Sequence, residues 1–243
     1  MNPILLSVLL GLTAAFANLF GGAIIVQKDW DRSYLTYFIA LGAGFMLATS
    51  IVEMVPASVA LRGRTATFLV LAGYLIIHFF EHTLTPHFHF GEETHRDQFV
   101  EAHKGYSVLI GLIIHTFFDG IAIASGFLLS DWLGWIIFLA VFVHKIPEGF
   151  TVASVMLASG RSRGTAWGAS VLLGAATVAG VLVMAIFRHA VSAGLPLSAG
   201  VTIYVAASDL VPEVNKEPGV KMALLVFIGV GCLFFLDHFL HAH

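Results

Sequence analysis

The chain has 243 residues, of which 58% are hydrophobic and only 11% charged, and its mean hydropathy is +0.90. Soluble domains carry roughly 25% charged residues, so this composition excludes an ordinary soluble globule. The net charge of −3 comes without a basic stripe, which removes nucleic acid from the partners, and the single cysteine, Cys232, excludes an internal disulfide and thiolate metal sites. A membrane-spanning helix takes about 20 apolar residues, so the chain has room for roughly eight and no separate soluble domain.

Eight apolar segments are predicted as spans, at 3–26, 34–60, 65–82, 105–129, 132–158, 165–187, 194–214 and 220–240. The first lacks the basic region and cleavage site of a signal peptide and reads as a span. Polar runs such as Gln27-Lys-Asp-Trp-Asp-Arg32, Gly160-Arg-Ser-Arg-Gly164 and Asn215-Lys-Glu-Pro-Gly219 separate them. The longest connection, at about 83–104, holds His87, His89, His95 and His103 among acids. Residues 1–243 therefore read as one transmembrane domain with a histidine-bearing loop. One set of alternate loops carries Lys28, Arg32, Arg96, Lys104, Arg161, Arg163, Lys216 and Lys221, and the other only Arg62, Arg64 and Arg188. Positive charge favours the cytoplasm, so the first set is expected inside, with both termini outside, in a plasma or inner membrane.

Two internal matches organise the chain. His115-Thr-Phe-Phe-Asp119-Gly120 aligns without a gap on His144-Lys-Ile-Pro-Glu148-Gly149, and Ala43–Pro56 aligns on Ala199–Pro212 with Glu53 opposite Asp209. The paired copies lie on spans that cross in opposite directions. Together they predict an all-α integral membrane bundle of eight helices in a 3+2+3 inverted repeat, a common transporter architecture.

The first match carries the chemistry. A histidine four residues before a carboxylate puts both on one helix face, a turn apart. Ionisable groups at membrane depth are expensive and normally line a substrate path. Two neighbouring helices each offering an imidazole and a carboxylate supply four ligands to a divalent cation. Helix packing by hydrogen-bonded histidines is the structural alternative. Pro147 deprives the Val143 carbonyl of its helix partner just before His144, which suits a helix lining a polar cavity as well as an ordinary kink. Without metal, two nearby carboxylates repel and one tends to protonate, so proton–metal exchange is chemically available.

These residues resemble the ZIP family of divalent-metal transporters over nearly the whole chain. The resemblance rests on the paired motif, on Gly42-Ala-Gly-Phe-Met-Leu-Ala-Thr in helix two, on Tyr204-Val-Ala-Ala-Ser-Asp209-Leu-Val-Pro-Glu213 in helix seven and on the histidine loop. It implies eight spans with Zn²⁺ or a similar cation between helices two, four and five, held by His115, Asp119, His144 and Glu148, with Met46 as a fifth ligand. Many members carry a second metal beside the first, using an amide, an acid and a glutamate of helix six. Here those positions read Thr116 and Lys145, and helix six has no acid. Lys145 stands three residues before Glu148, within reach of its carboxylate, and is expected to replace the second cation.

Glu53 and Asp209 are expected to line the entrance and exit paths, with Glu213 nearer the cytoplasm, and the loop histidines to capture or sense metal. His78, Glu81 and His82 read first as interface residues. The expected function is transport of a divalent transition metal, Zn²⁺ first, into the cytoplasm, with Fe²⁺, Mn²⁺, Co²⁺ and Cd²⁺ also suited to these ligands. The metal is substrate, and no catalytic cofactor is expected. The other partners are membrane lipid and a candidate homodimer. A passive metal channel is the alternative, followed by an integral-membrane metalloenzyme, which the absence of His-Glu-x-x-His disfavours.

Overall fold

The computed structural model describes residues 2–27, 33–84, 102–217 and 219–240. They form eight helical passes, with no strand among the described residues. These are α1 (Pro3–Gln27), α2 (Ser33–Ala48, continued through Thr49–Met54 and Val55–Arg62), α3 (Arg64–Leu84) and α4 (Ala102–Leu129). They continue as α5 (Asp131–Ala158), α6 (Arg163–Ile186), α7 (Val191–Tyr204, continued through Val205–Leu210 and Val211–Lys216) and α8 (Val220–Leu240). All eight passes are long and apolar enough to cross a membrane. Ser130 caps α5 and Ser162 caps α6, each accepting a backbone N–H three residues on.

Both α2 and α7 widen into one π-helical turn before a Val-Pro pair. In α2 the Val55 N–H reaches back to the Ser50 carbonyl, and in α7 the Val211 N–H reaches back to that of Ala206. Pro56 and Pro212 cannot donate to the preceding turn and crowd its carbonyl, so the turn takes up an extra residue. Pro147 lies inside α5, which continues helical through it.

Glycines set the closest helix contacts. A Cβ on Gly44 would collide with the Val226 carbonyl of α8, and one on Gly229 with the Leu41 carbonyl of α2. Equally, Gly200 admits the Val70 carbonyl of α3, and Gly73 the Leu197 carbonyl of α7. The two sets differ by 156 residues throughout (200 − 44 and 229 − 73). A second family of contacts joins Gly149 to the Asn18 carbonyl and Gly21 to that of Ile146, then Gly120 to the Thr177 carbonyl and Gly180 to that of Phe117. The helices thus fall into two contact groups, α2 with α8 and α3 with α7 in one, and α1, α4, α5 and α6 in the other. Gly42 of α2 against the His144 Cβ and the Ser198 hydroxyl of α7 donating to the Phe118 carbonyl join the groups across the middle.

The polarity runs opposite to that of a soluble protein. Phe16, Phe20, Phe68, Phe79, Ile186, Phe227 and Phe235 are exposed on the outside, whereas His115, Asp119, His144, Lys145 and Glu148 are buried. Such a surface fits lipid and an interior that must satisfy its own polar groups. A Gly200→Leu substitution forces side-chain atoms into the Val70 carbonyl and is expected to destabilise the bundle by about 1–3 kcal/mol. Gly168 has nothing within 4 Å of its would-be Cβ. Gly168→Ala is expected to be neutral or to stabilise by up to about 1 kcal/mol through helix propensity. Unfolding in detergent, followed by circular dichroism, separates the two.

Candidate metal centre

Helices α4 and α5 pack antiparallel and present their four-residue His–acid steps to each other. His115 and Asp119 face in from α4, and His144 and Glu148 from α5, all 2% exposed or less. One ligand atom from each of the four lies within 4.8 Å of all the others. His144 Nε2 is 3.3 Å from Asp119 Oδ2 and 3.9 Å from Glu148 Oε2, and His115 Nε2 is 3.3 Å from the same Asp119 oxygen. The two rings stand 5.5 Å apart, tilted by 37°. Four groups brought to one point, with water excluded, form a donor set suited to a divalent transition metal.

The tautomer of His144 is set by the backbone. Its Nδ1 donates to the Ala140 carbonyl at 2.9 Å, so a neutral ring turns its Nε2 lone pair toward Asp119. Orientation of a ligating imidazole through its other nitrogen is the usual outer-shell device of metal sites.

A cation already sits among the acids. Lys145 is 0% exposed, and its Nζ lies 2.6 Å from Asp119 Oδ2, 2.5 Å from Glu148 Oε2 and 3.4 Å from Thr116 Oγ1. The Thr116 hydroxyl donates in turn to Glu148 Oε1. Sequence spacing anticipated the Lys145–Glu148 contact along one helix. It gave no sign that the same ammonium reaches across to Asp119. Sequence reading also passed over Asn18 of α1, which is fully buried with neither side-chain atom hydrogen-bonded. A lone amide in the first apolar span was the available signal.

The remaining sequence-derived positions fall elsewhere. Met46 is fully buried on α2, one turn beyond Gly42, whose would-be Cβ lies 3.5 Å from the His144 Cβ. Glu53 lies half-buried in the π turn of α2, and Asp209 is buried in that of α7. Glu213 is buried and pairs with Lys216 at 2.8 Å. His78 and His82 stack at 4.1 Å near Tyr204 of α7, at an interface between α3 and α7 where the Tyr74 and Ser208 hydroxyls also meet at 3.0 Å. His87, His89 and His95 lie outside the described residues, as does the side chain of His103.

Eight apolar passes around a dry cluster of imidazoles, acids and an ammonium define an integral membrane protein with a candidate metal centre. The family model described as Zip, ZIP zinc transporter, matches residues 100–237, more than half of the sequence. The chain belongs to that family. It is 26% identical over 158 residues to the zinc transporter zipt-7.1 of Caenorhabditis briggsae, covering 55% of this chain and 39% of the relative. It is 28% identical over 147 residues to zinc transporter ZIP13 of Danio rerio, covering 55% and 41%. It is 28% identical over 139 residues to zinc transporter SLC39A7 of Homo sapiens, covering 52% and 29%. The matched stretch is thus well under half of the length of each of these relatives.

Thr116→Val keeps the shape and removes the donor to Glu148. It is expected to cost about 1–3 kcal/mol, because a buried carboxylate oxygen loses its partner. Thr116→Ser should retain most of the wild-type stability, and thermal unfolding of the purified variants checks both outcomes.

Proposed function

We propose that this chain carries a divalent transition metal, Zn²⁺ first, across the membrane into the cytoplasm, one ion at a time. The observation that carries the reading is the meeting of His115, Asp119, His144 and Glu148 within 4.8 Å, buried between two apolar spans, in a member of a zinc transporter family. That family consists of transporters rather than enzymes, which removes the membrane metalloenzyme reading.

The ion would be bound by those four side chains, with Met46 on α2 as a fifth contact. Lys145 takes the place of a second cation: its ammonium bonds both acids and stands where an acid would be, and Thr116 beside it stands where an amide would be. The bundle is read as one transmembrane domain built as a 3+2+3 inverted repeat. The glycine contacts that recur at a constant offset, and the π turns in α2 and α7, support this. Glu53 and Asp209 occupy equivalent turns of that repeat, one half-exposed and one buried. They are assigned to the entrance and exit sides, with Glu213 beyond Asp209. Loop charge supports termini outside and the histidine loop inside, where His87, His89, His95 and His103 would meet released metal.

Proteoliposomes loaded with a fluorescent zinc indicator test the reading. Wild-type protein is expected to bring Zn²⁺ to the indicator, and Ala at His115, Asp119, His144 or Glu148 to lower the rate by about tenfold or more. Glu53→Ala is expected to raise the half-saturating metal concentration with smaller loss of maximal rate. Undiminished uptake in the four ligand variants would remove the cluster from the pathway.

A further inference from the structure

We propose that Lys145 is a tethered counter-cation that balances the charge of the carrier's loaded and unloaded forms, and thereby sets the rate of the unloaded return step. This rests on the carrier reading above and goes beyond it, since filling the place of a second ion does not by itself require any part in the cycle.

The geometry leaves the ammonium no other occupation. Lys145 is 0% exposed, and its Nζ has Asp119, Glu148 and Thr116 as its partners. A lysine on a spanning helix ordinarily runs its stem toward the interface and keeps its charge in water. Here the whole side chain stays at the level of the two acids. Each acid still keeps an oxygen off the ammonium: Asp119 Oδ1 has no hydrogen-bond partner, and Glu148 Oε1 receives only the Thr116 hydroxyl. Cargo can therefore share the carboxylates with Lys145 without evicting it.

Charge counting then gives the ammonium its role. Two carboxylates and one ammonium carry a single negative charge, and a divalent cation with neutral imidazoles turns this into a single positive charge. The cost of holding net charge in a poorly polarisable medium grows with the square of that charge. With Lys145 the two forms of the site thus meet equal barriers. Without it the loaded site is neutral and the unloaded one carries two negative charges, with four times the cost of a single charge. Removing the ammonium should slow the unloaded crossing far more than the loaded one. The ammonium also repels the cargo, which favours its release.

Two assays on the same proteoliposomes separate these steps. Net uptake into metal-free vesicles requires the unloaded return, whereas exchange of radiolabelled zinc for unlabelled zinc inside requires only loaded crossings. Lys145→Met and Lys145→Gln remove the charge, the second while keeping a polar group between the acids. Both are measured at matched neutral pH on protein with the wild-type size-exclusion profile. The ratio of exchange to net uptake is expected to rise about tenfold or more in both variants, following the energetic penalty of an unpaired buried charge. An unchanged ratio, whether both activities fall together or neither falls, overturns the proposal, and so does loss of both activities in both variants. Absence of net uptake and exchange in the wild type would instead refute the transport reading on which the proposal stands.

Discussion

One ammonium held between two carboxylates, with water excluded, is the constraint on which the rest of the centre depends. Lys145 lies within 2.6 Å of an oxygen on both Asp119 and Glu148, on two different helices. Two such acids side by side in a dry interior repel, and a buried charge left without a partner is strongly destabilising. The ammonium relieves this and ties α4 to α5. The imidazole nitrogens of His115 and His144 approach the same carboxylate oxygens, and Asp119 Oδ1 is left without a hydrogen-bond partner. Thr116 and the Ala140 carbonyl then fix the Glu148 carboxylate and the His144 ring, so the donor set is oriented by the fold.

Such a centre demands close backbones around it. Gly120 and Gly149, each one residue after a site acid, admit a carbonyl of α6 and of α1 respectively. A larger side chain at either would push α6 or α1 away from the pair that carries the site. The second contact group, α2 with α8 and α3 with α7, uses glycines in the same way and meets the first near His144. Tight, small-residue contacts substitute for the hydrophobic driving force that lipid does not provide between helices. The π turns follow from the same economy of backbone bonding. A proline removes one donor, and the helix responds by lengthening one turn just where Glu53 and Asp209 stand.

Much of this was legible in the sequence because period and polarity alone encode it. Eight apolar runs gave eight passes, and the His-x-x-x-acid spacing gave two one-sided pairs whose partners the fold then brought together. The inter-helix contacts were not legible. Lys145 reads locally as a partner for Glu148, yet its reach to Asp119 depends on how α4 and α5 are rotated about their axes. Asn18 carries no periodic signal, and its burial follows from α1 packing against Gly149. The widening of α2 and α7 precedes a Val-Pro pair in each, yet proline alone does not declare it, since Pro147 lies in a helix that is not widened. His87, His89 and His95 lie outside the described residues, as does the side chain of His103.

In the proposed carrier one cation is shared by His115, Asp119, His144 and Glu148, with Lys145 retained beside it. Anomalous diffraction from crystals grown with Zn²⁺ or Cd²⁺ measures this most directly. A single peak is predicted within bonding distance of those four side chains, with the Lys145 Nζ still on the acids. Two peaks in this centre, or none with metal bound elsewhere in the bundle, would contradict it.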